Sequence, residues 1–246
     1  RNMTKSKTDF GFKQIDSDKK QQLVKGVFDS VAKNYDLMND LMSFGLHRIW
    51  KKFLLLDNPL RGNEKILDLA GGSGDLSILF KEKNKNVQII HSDINEEMLK
   101  EGKKKIIDKG LLIPSVTINA ENIPFSNNYF DIVTISFGLR NMTHKNKVLN
   151  EIYRCLKPGG KIVILEFSKV HSSIKKVYDF FSFNIIPKIG QIVANDSNSY
   201  QYLAESIRMH PEQEKLLKML EDEKFENCSY KNLTGGIVAI HSGYKI

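Results

Sequence analysis

The chain has 246 residues, 41% of them hydrophobic and 27% charged, with a formal net charge of +8. Together with a mean hydropathy of −0.34, that composition excludes a wholly disordered chain, a collagen and a multi-span membrane protein. At roughly 150 residues per domain the length suits one large domain, or one domain with a cap, with enough chain to bury a core without staples.

Cys155 and Cys228 are the two cysteines, and no C-x-x-C or H-x-x-x-H pair occurs. Neither a disulfide framework nor a structural zinc site is expected, no metal is implied, and a reducing, cytoplasmic compartment fits. The positive balance suits nucleic acid or an anionic membrane surface. Clusters such as Lys103-Lys104-Lys105, mixed with Glu and Asn, read better as solvated helix faces. No apolar run approaches the ~20 residues of a spanning helix, and the charged first residues lack the apolar stretch of a secretory signal.

In chain order, residues 1–20 are polar and read as a flexible N-terminal tail, and 21–246 as a single domain. Residues 21–56 carry apolar side chains at helical spacing (Leu23, Val27, Val31, then Leu37, Leu41, Phe44 and later Ile49, Trp50, Phe53). They predict N-terminal helices broken near Tyr35-Asp36 and Gly45. Short apolar runs then alternate with helical stretches. The runs are Lys65–Ala70, Val87–His91, Ser115–Asn119, Asp131–Ser136 and Lys161–Phe167; a helix over Lys145–Leu156 is expected to stop at Pro158-Gly159-Gly160. This alternation predicts an α/β fold with a mainly parallel sheet buried on both faces. Cap helices follow over about 172–222, with Pro187 as a break. Cys228–Leu233 and Ile237–His241, around Thr234-Gly235-Gly236, predict a terminal antiparallel hairpin.

The first predicted strand ends in Asp68-Leu69-Ala70-Gly71-Gly72-Ser73-Gly74-Asp75. Glycines between a strand and a helix let a ligand approach the backbone, and the helix amides favour an anionic group. Gly72 and Gly74 fill two positions of the dinucleotide fingerprint G-x-G-x-x-G, but Ser77 stands at the third. That departure weakens a dehydrogenase reading. Asp93 ends the second strand, where a carboxylate accepts a ribose diol; it would serve equally as the N-cap of the helix near Asn95.

Asp68-x-Ala70-x-Gly72-x-Gly74 resembles the acid-x-Gly-x-Gly-x-Gly motif of class I S-adenosylmethionine (AdoMet) methyltransferases, whose sheet is Rossmann-like and seven-stranded. Leu156-Lys157-Pro158-Gly159-Gly160-Lys161 is similar to a second recurrent segment of that fold. Leu67–Asp75, Ile135–Asn141, Leu165–Ser168, Tyr200–Ile207 and Leu233–Ala239 resemble the family that C-methylates quinone precursors in ubiquinone and menaquinone biosynthesis. The resemblance runs from about residue 20 to the C-terminus. Ser73 departs from it, standing where the family usually has Thr.

The resemblance implies AdoMet as cofactor, lined by Ala70, Gly72, Ser73, Asp93, Asn119, Ala120 and Ser136. It implies transfer of the sulfonium methyl to a ring carbon of a polyprenylated benzoquinol or naphthoquinol, activated by ionisation of a neighbouring hydroxyl. Arg140 is expected to stabilise that phenolate and Asn141 to orient a hydroxyl or a water. Arginine stays protonated, so Tyr35 and His210 are the candidates for proton acceptance or relay. The aromatic segment Tyr178–Ile186 is expected to wall a channel for the prenyl tail or to dip into a membrane interface as a peripheral contact with the inner membrane; burial under the cap is the competing reading. A homodimer or a quinone-biosynthesis complex is compatible with the fold. Methylation of another small molecule or of RNA is the alternative. Ser136-Phe137-Gly138-Leu139 does not supply the Asn/Asp-Pro-Pro-aromatic run of base amine methylation, and neither cysteine follows a proline, so no nucleic-acid partner is expected.

Overall fold

The computed structural model describes residues 6–246, apart from the side chains of residues 193 and 194. The expected flexible tail is corrected from Lys7 onward. β1 (Lys7–Phe10) and β2 (Lys13–Asp16) pair antiparallel around a two-residue loop. Gly11 in that loop has φ +57°, a conformation glycine adopts without strain. So short a hairpin is marginal alone. It is held by a helix far along the chain: Phe10 stacks on Tyr202 with ring centroids 4.3 Å apart, and the Phe12 N–H donates to Glu205 Oε2 at 3.0 Å. Local sequence carries no trace of that support.

The N-terminal helices are α1 (Ser17–Val31), α2 (Tyr35–Ser43) and α3 (Leu46–Asp57). They break where the sequence indicated, at a 3-10 turn over Ala32–Asn34 and at Phe44-Gly45, both left-handed. The alternating region follows as β3 (Lys65–Leu69), α4 (Asp75–Lys83), β4 (Gln88–Asp93), α5 (Glu96–Asp108), β5 (Ser115–Thr117), β6 (Phe130–Ser136), α6 (Lys145–Cys155) and β7 (Leu156–Phe167). β5 ends two residues earlier than predicted, because Asn119 Oδ1 accepts the Glu121 N–H and starts a turn. β7 begins earlier than Lys161. Pro158-Gly159-Gly160 lies inside it as an irregularity, where the register to β6 shifts between Phe130 and Ile132.

The cap comprises α7 (Ser172–Phe180), a π turn (Phe181–Ile185), α8 (Ile186–Ala194), α9 (Ser197–Met209) and α10 (Gln213–Asp222). Pro187 is the second residue of α8, directly after the π turn, whose ladder carries the Ile186 N–H to the Phe181 carbonyl; the regular α-helix is interrupted just before the proline. β8 (Glu226–Leu233) and β9 (Val238–Tyr244) close the chain.

The large sheet has the order β5-β4-β3-β6-β7-β9-β8. Pairing is parallel from β5 to β7 and antiparallel for β9 against both β7 and β8. Neighbouring residues feed opposite faces: Ile66 packs with Trp50 and Leu54 on one, Leu67 with Leu149 and Ile152 on the other. The fold is thus the Rossmann-like class I arrangement, a mainly parallel seven-stranded sheet with a terminal antiparallel hairpin. Order reverses between β3 and β6, which puts a crevice beyond the carboxyl ends of β3, β4 and β6.

Candidate cofactor and active site

The loop leaving β3 turns through Ala70, Gly72 and Gly74 at φ +55°, +54° and +77°. Ala70 stands in a left-handed conformation that favours glycine, at a cost of about 1 kcal/mol. Gly138 makes room for it, since a Cβ there would lie 2.8 Å from the Ala70 Cβ. Beneath the loop Asp68 is fully buried. Its Oδ2 accepts the Ser77 N–H at 3.1 Å and the Ser77 hydroxyl at 2.6 Å, and its Oδ1 the Thr134 hydroxyl at 3.3 Å. Ser77, the departure from the dinucleotide fingerprint, is therefore the partner of the motif's acid. Burial pushes the Asp68 carboxyl up, against the pull of nearby His91. His91 Nε2 lies 3.0 Å from the Gly72 carbonyl and Nδ1 3.1 Å from Ser115 Oγ. A carbonyl only accepts, so Nε2 carries the proton and His91 ties the loop to β4 and β5.

Asp93 accepts the Gly72 N–H on Oδ2 and the Asn95 N–H on Oδ1, each at 2.9 Å. It is not the N-cap of α5; Asn95 is, accepting from the Met98 N–H. Burial raises the Asp93 carboxyl, and its two backbone donors oppose that.

A cavity of about 390 Å³ opens above this loop, within the ~300–1,000 Å³ usual for cofactor sites. Of the expected cofactor residues, Ala70, Gly72, Asp93, Asn119 and Ala120 line it; Ser73 and Ser136 do not. The Ser73 hydroxyl instead donates to Asp36 Oδ1 at 3.1 Å, and Ser136 Oγ is buried without a partner among the described residues. Tyr35 and Asn141 also line the cavity. Burial drives the Tyr35 hydroxyl up to about 12 although nearby Arg140 pulls it down, so at neutral pH it is a donor and not a base. Arg140 is buried away from the cavity and pairs with Glu166, Nη1 to Oε1 at 3.1 Å. His210 has both ring nitrogens buried and unpartnered among the described residues. Burial, then Lys145 and Arg140, lower its affinity for a proton well below the usual imidazole range.

Sequence reading missed the outer wall. Asp18, Gln21, Gln22, Lys25 and Phe28 of α1 face the cavity. Their i, i+3/4, i+7 spacing was a signal: a mostly polar stripe opposite the apolar one of Val27 and Val31. A charged clamp holds this helical side on the loop. Asp75, just after Gly74, pairs with Lys51 of α3 at 2.8 Å and Lys105 of α5 at 2.5 Å, and Lys105 pairs with Asp36 of α2 at 2.6 Å.

These residues fit AdoMet. Asp93 presents a carboxylate at the strand end for a diol, Ile94, Ile118 and Ala120 offer an apolar slot, and Asn119 stands at its rim. A Cβ on Gly72 would come 3.2 Å from Met98 Cε and fill the floor.

Solved structures share the fold. A [4+2]-cyclase, SpnF, superposes with a TM-score of 0.69 at 16% identity over 91% of this chain and 95% of its own. A SAM-dependent methyltransferase from Aquifex aeolicus gives 0.64 at 15% over 85% and 97%. Sequence relatives are nearer. A protein of Proteus mirabilis (strain HI4320) named ubiquinone/menaquinone biosynthesis C-methyltransferase UbiE is 52% identical over 98% of both chains. One of the same name from Paraburkholderia xenovorans (strain LB400) is 54% identical over 98% of this chain and 99% of its own. A model of the ubiE/COQ5 methyltransferase family matches residues 15–245. With its glycine loop, its acid at the second strand end and a near full-length match, the chain belongs to the ubiE/COQ5 methyltransferase family and is an AdoMet-dependent enzyme.

Proposed function

We propose that this enzyme methylates a ring carbon of a polyprenylated quinol, 2-polyprenyl-6-methoxy-1,4-benzoquinol or demethylmenaquinol, in ubiquinone or menaquinone biosynthesis. The observation that carries the reading is the cavity, which brings Asp93 and the glycine loop, with the Tyr35 ring against Gly72, into one space with Phe137, Asn141 and Met142. AdoMet, held by Asp93, Gly72, Asn119 and Ala120, supplies an electrophilic methyl group on a sulfonium. Asn141 orients a ring oxygen, its own amide fixed by the Tyr202 hydroxyl, which donates to Oδ1 at 3.0 Å. The neutral Tyr35 hydroxyl is a second donor. The lining of α1 excludes water, and most of the acceleration comes from positioning.

The prenyl tail needs an apolar exit. Phe181 stacks on Phe44 and Phe183 meets Phe12, so that part of the aromatic segment packs within the fold. Phe44, Val177, Phe180 and Ile192 are exposed. We assign this face to peripheral contact with a membrane surface by a cytoplasmic enzyme; among the described residues no helix is long and apolar enough to cross a bilayer. Val177→Asp with Phe180→Asp should release the protein from floated vesicles; unchanged flotation would remove the membrane contact.

The test of the reaction uses methyl-labelled AdoMet with reduced lipid extract from membranes deficient in quinone methylation, and bulk RNA in a parallel tube. Label in a prenylquinol, lost in Asp93→Ala, is expected and identifies the ring. Label only in RNA would overturn the quinol reading.

A further inference from the structure

Glu166 is the one ionisable residue in the apolar run Ile162–Phe167 of β7, and it is 1% exposed. The methyl transfer described above makes no use of it. Its Oε2 accepts the Arg140 N–H at 3.2 Å, and its Oε1 accepts Arg140 Nη1 at 3.1 Å and the Phe167 N–H at 2.9 Å. Arg140 is therefore gripped by both backbone and side chain. The same Nη1 also donates to the Phe137 carbonyl. Arg140 otherwise turns to a separate cavity of about 40 Å³, while Asn141, next in the chain, lines the large one.

Phe137 needs such a hold. It stands at φ +58°, a left-handed conformation that a bulky side chain keeps only where its surroundings enforce it. Its N–H donates to the Leu165 carbonyl at 2.8 Å. Leu165 thus pins one side of the residue and Arg140 the other. The ring packs against Trp50 and Phe167, with centroids 6.2 and 4.9 Å away, and lines the large cavity. The next residue, Gly138, abuts Ala70 of the glycine loop, and its carbonyl accepts the Asn141 N–H at 3.1 Å. The left-handed step at Phe137 therefore sets an aromatic wall, the turn that carries Asn141 and a contact with the cofactor loop together. A buried ion pair is a weak source of stability, because desolvation offsets its attraction. Here Arg140 Nε is also buried without a partner among the described residues. The geometry that the pair fixes accounts for it better than the stability it adds.

We propose that Glu166, acting through Arg140, is a positioning residue for methyl transfer. The pair holds Phe137 left-handed, so that its ring and Asn141 meet the methyl acceptor in one arrangement. Neither charge touches the acceptor. That the acceptor is a quinol ring rests on the reading above; the hold on Phe137 does not. The Leu165–Ser168 segment thereby gains a task, since Leu165 and Glu166 fix the two sides of Phe137 from the neighbouring strand.

Fluorine NMR reads the hold directly. The full chain is produced with 4-fluorophenylalanine and saturated with S-adenosylhomocysteine, and Phe137→Leu identifies the Phe137 resonance by its loss. Glu166→Gln and Arg140→Met should shift or split that resonance. Those of Phe130 and Phe225, on the opposite face of the sheet and assigned in the same way, should stay in place. With labelled AdoMet and the prenylquinol, each single variant should lower kcat about ten-fold or more, the cost of a misplaced acceptor, while S-adenosylhomocysteine affinity stays within about three-fold. The double variant should lose no more than either single one, as residues acting as a unit do. Arg140→Lys, whose one nitrogen can donate to both acceptors, should recover part of both readouts. If Glu166→Gln does not fold, Glu166→Asp, which keeps the charge and shortens its reach, takes its place. An unmoved Phe137 resonance, or a moved one with full kcat, overturns the proposal. Movement of the Phe130 and Phe225 resonances as well would reduce Glu166 to general packing and overturn it too. So would losses that multiply in the double variant with Arg140→Met far the costlier, since Arg140 would then touch the acceptor itself. If the unsubstituted chain labels no quinol, the quinol reading fails, and the Phe137 resonance still decides whether Glu166 holds the wall.

Discussion

The two ends of the cavity are built differently. The cofactor end comes mostly from one βαβ unit, with Asn119 and Ala120 joining it from the turn after β5: Asp68 meets Ser77 nine residues on, and Gly72 meets His91 and Asp93 within 21. Its donors and acceptors are largely backbone, so the side chains around the loop set its shape. The opposite end is assembled from remote segments. Tyr202 reaches Asn141 across 61 residues, and Glu205 reaches Phe12 across 193. Substitutions at the first end should therefore cost cofactor affinity, and substitutions at the second should cost turnover with the cofactor still bound.

The sharpest break is Asp93→Ala. It removes the acceptor for the cofactor diol and leaves the Gly72 and Asn95 N–H groups without their partner. Hydrogen bonds to a charged group contribute ~1.5–3 kcal/mol each, so AdoMet affinity should fall about 100-fold or more by titration calorimetry. An unchanged affinity would mean that Asp93 only shapes the loop.

Asp75 tests whether the helical wall is clamped by charge. Burial works to raise its carboxyl, but Lys51 and Lys105 outweigh that and hold it well below the ordinary 3.8. As pH falls, the unfolded chain takes up the proton first. The stabilisation is therefore complete above the unfolded value and is lost as pH drops toward the folded one. Asp68 and Asp93 act in the opposite sense, since burial raises them. Comparison of one protein with one variant isolates Asp75: Asp75→Asn should cost about 1–3 kcal/mol at neutral pH. That gap should narrow as urea midpoints are measured down through pH ~4. A gap constant with pH would assign the loss to packing.

Which of these features the sequence announced follows the same division. The strand-loop-helix with Asp68 and the spacing to Asp93 are local patterns, and they resolve where the residues indicated; Asn119 and Ala120 line the cavity from the turn after β5 and not from the strand end. Ser73 and Ser136 did not line the cavity, because the nearest acceptor for Ser73 is Asp36, brought in by α2. The hairpin at Lys7–Asp16 leaves no local signal, since Phe10 finds its aromatic partner, Tyr202, in α9. The resemblance places both Arg140 and Asn141 at the substrate. The 3-10 turn at Leu139–Asn141 sends their side chains to different cavities, and adjacency in sequence cannot carry that information.

Tyr202→Phe probes the remote end more gently. It deletes one hydroxyl and leaves Asn141 Oδ1 without its donor, worth about 1 kcal/mol. Turnover should fall roughly five-fold, and AdoMet affinity should not move. Loss of both together would show that the two ends are coupled through the shared wall.

Ala70→Gly should do least, and its smallness matters. Ala70 holds φ +55°, so glycine relieves about 1 kcal/mol of strain. Glycine also frees the unfolded chain, which costs about 0.5–1 kcal/mol, and it withdraws the methyl packed against Gly138. The terms nearly cancel, and the melting temperature should move by no more than about 2 °C. AdoMet affinity should change less than about three-fold, because Asp93 holds Gly72 by its N–H and His91 by its carbonyl. A large loss of affinity would mean that the Ala70 methyl, and not those two side chains, sets the path of the loop. The cofactor end would then depend on steric packing as much as on hydrogen bonds.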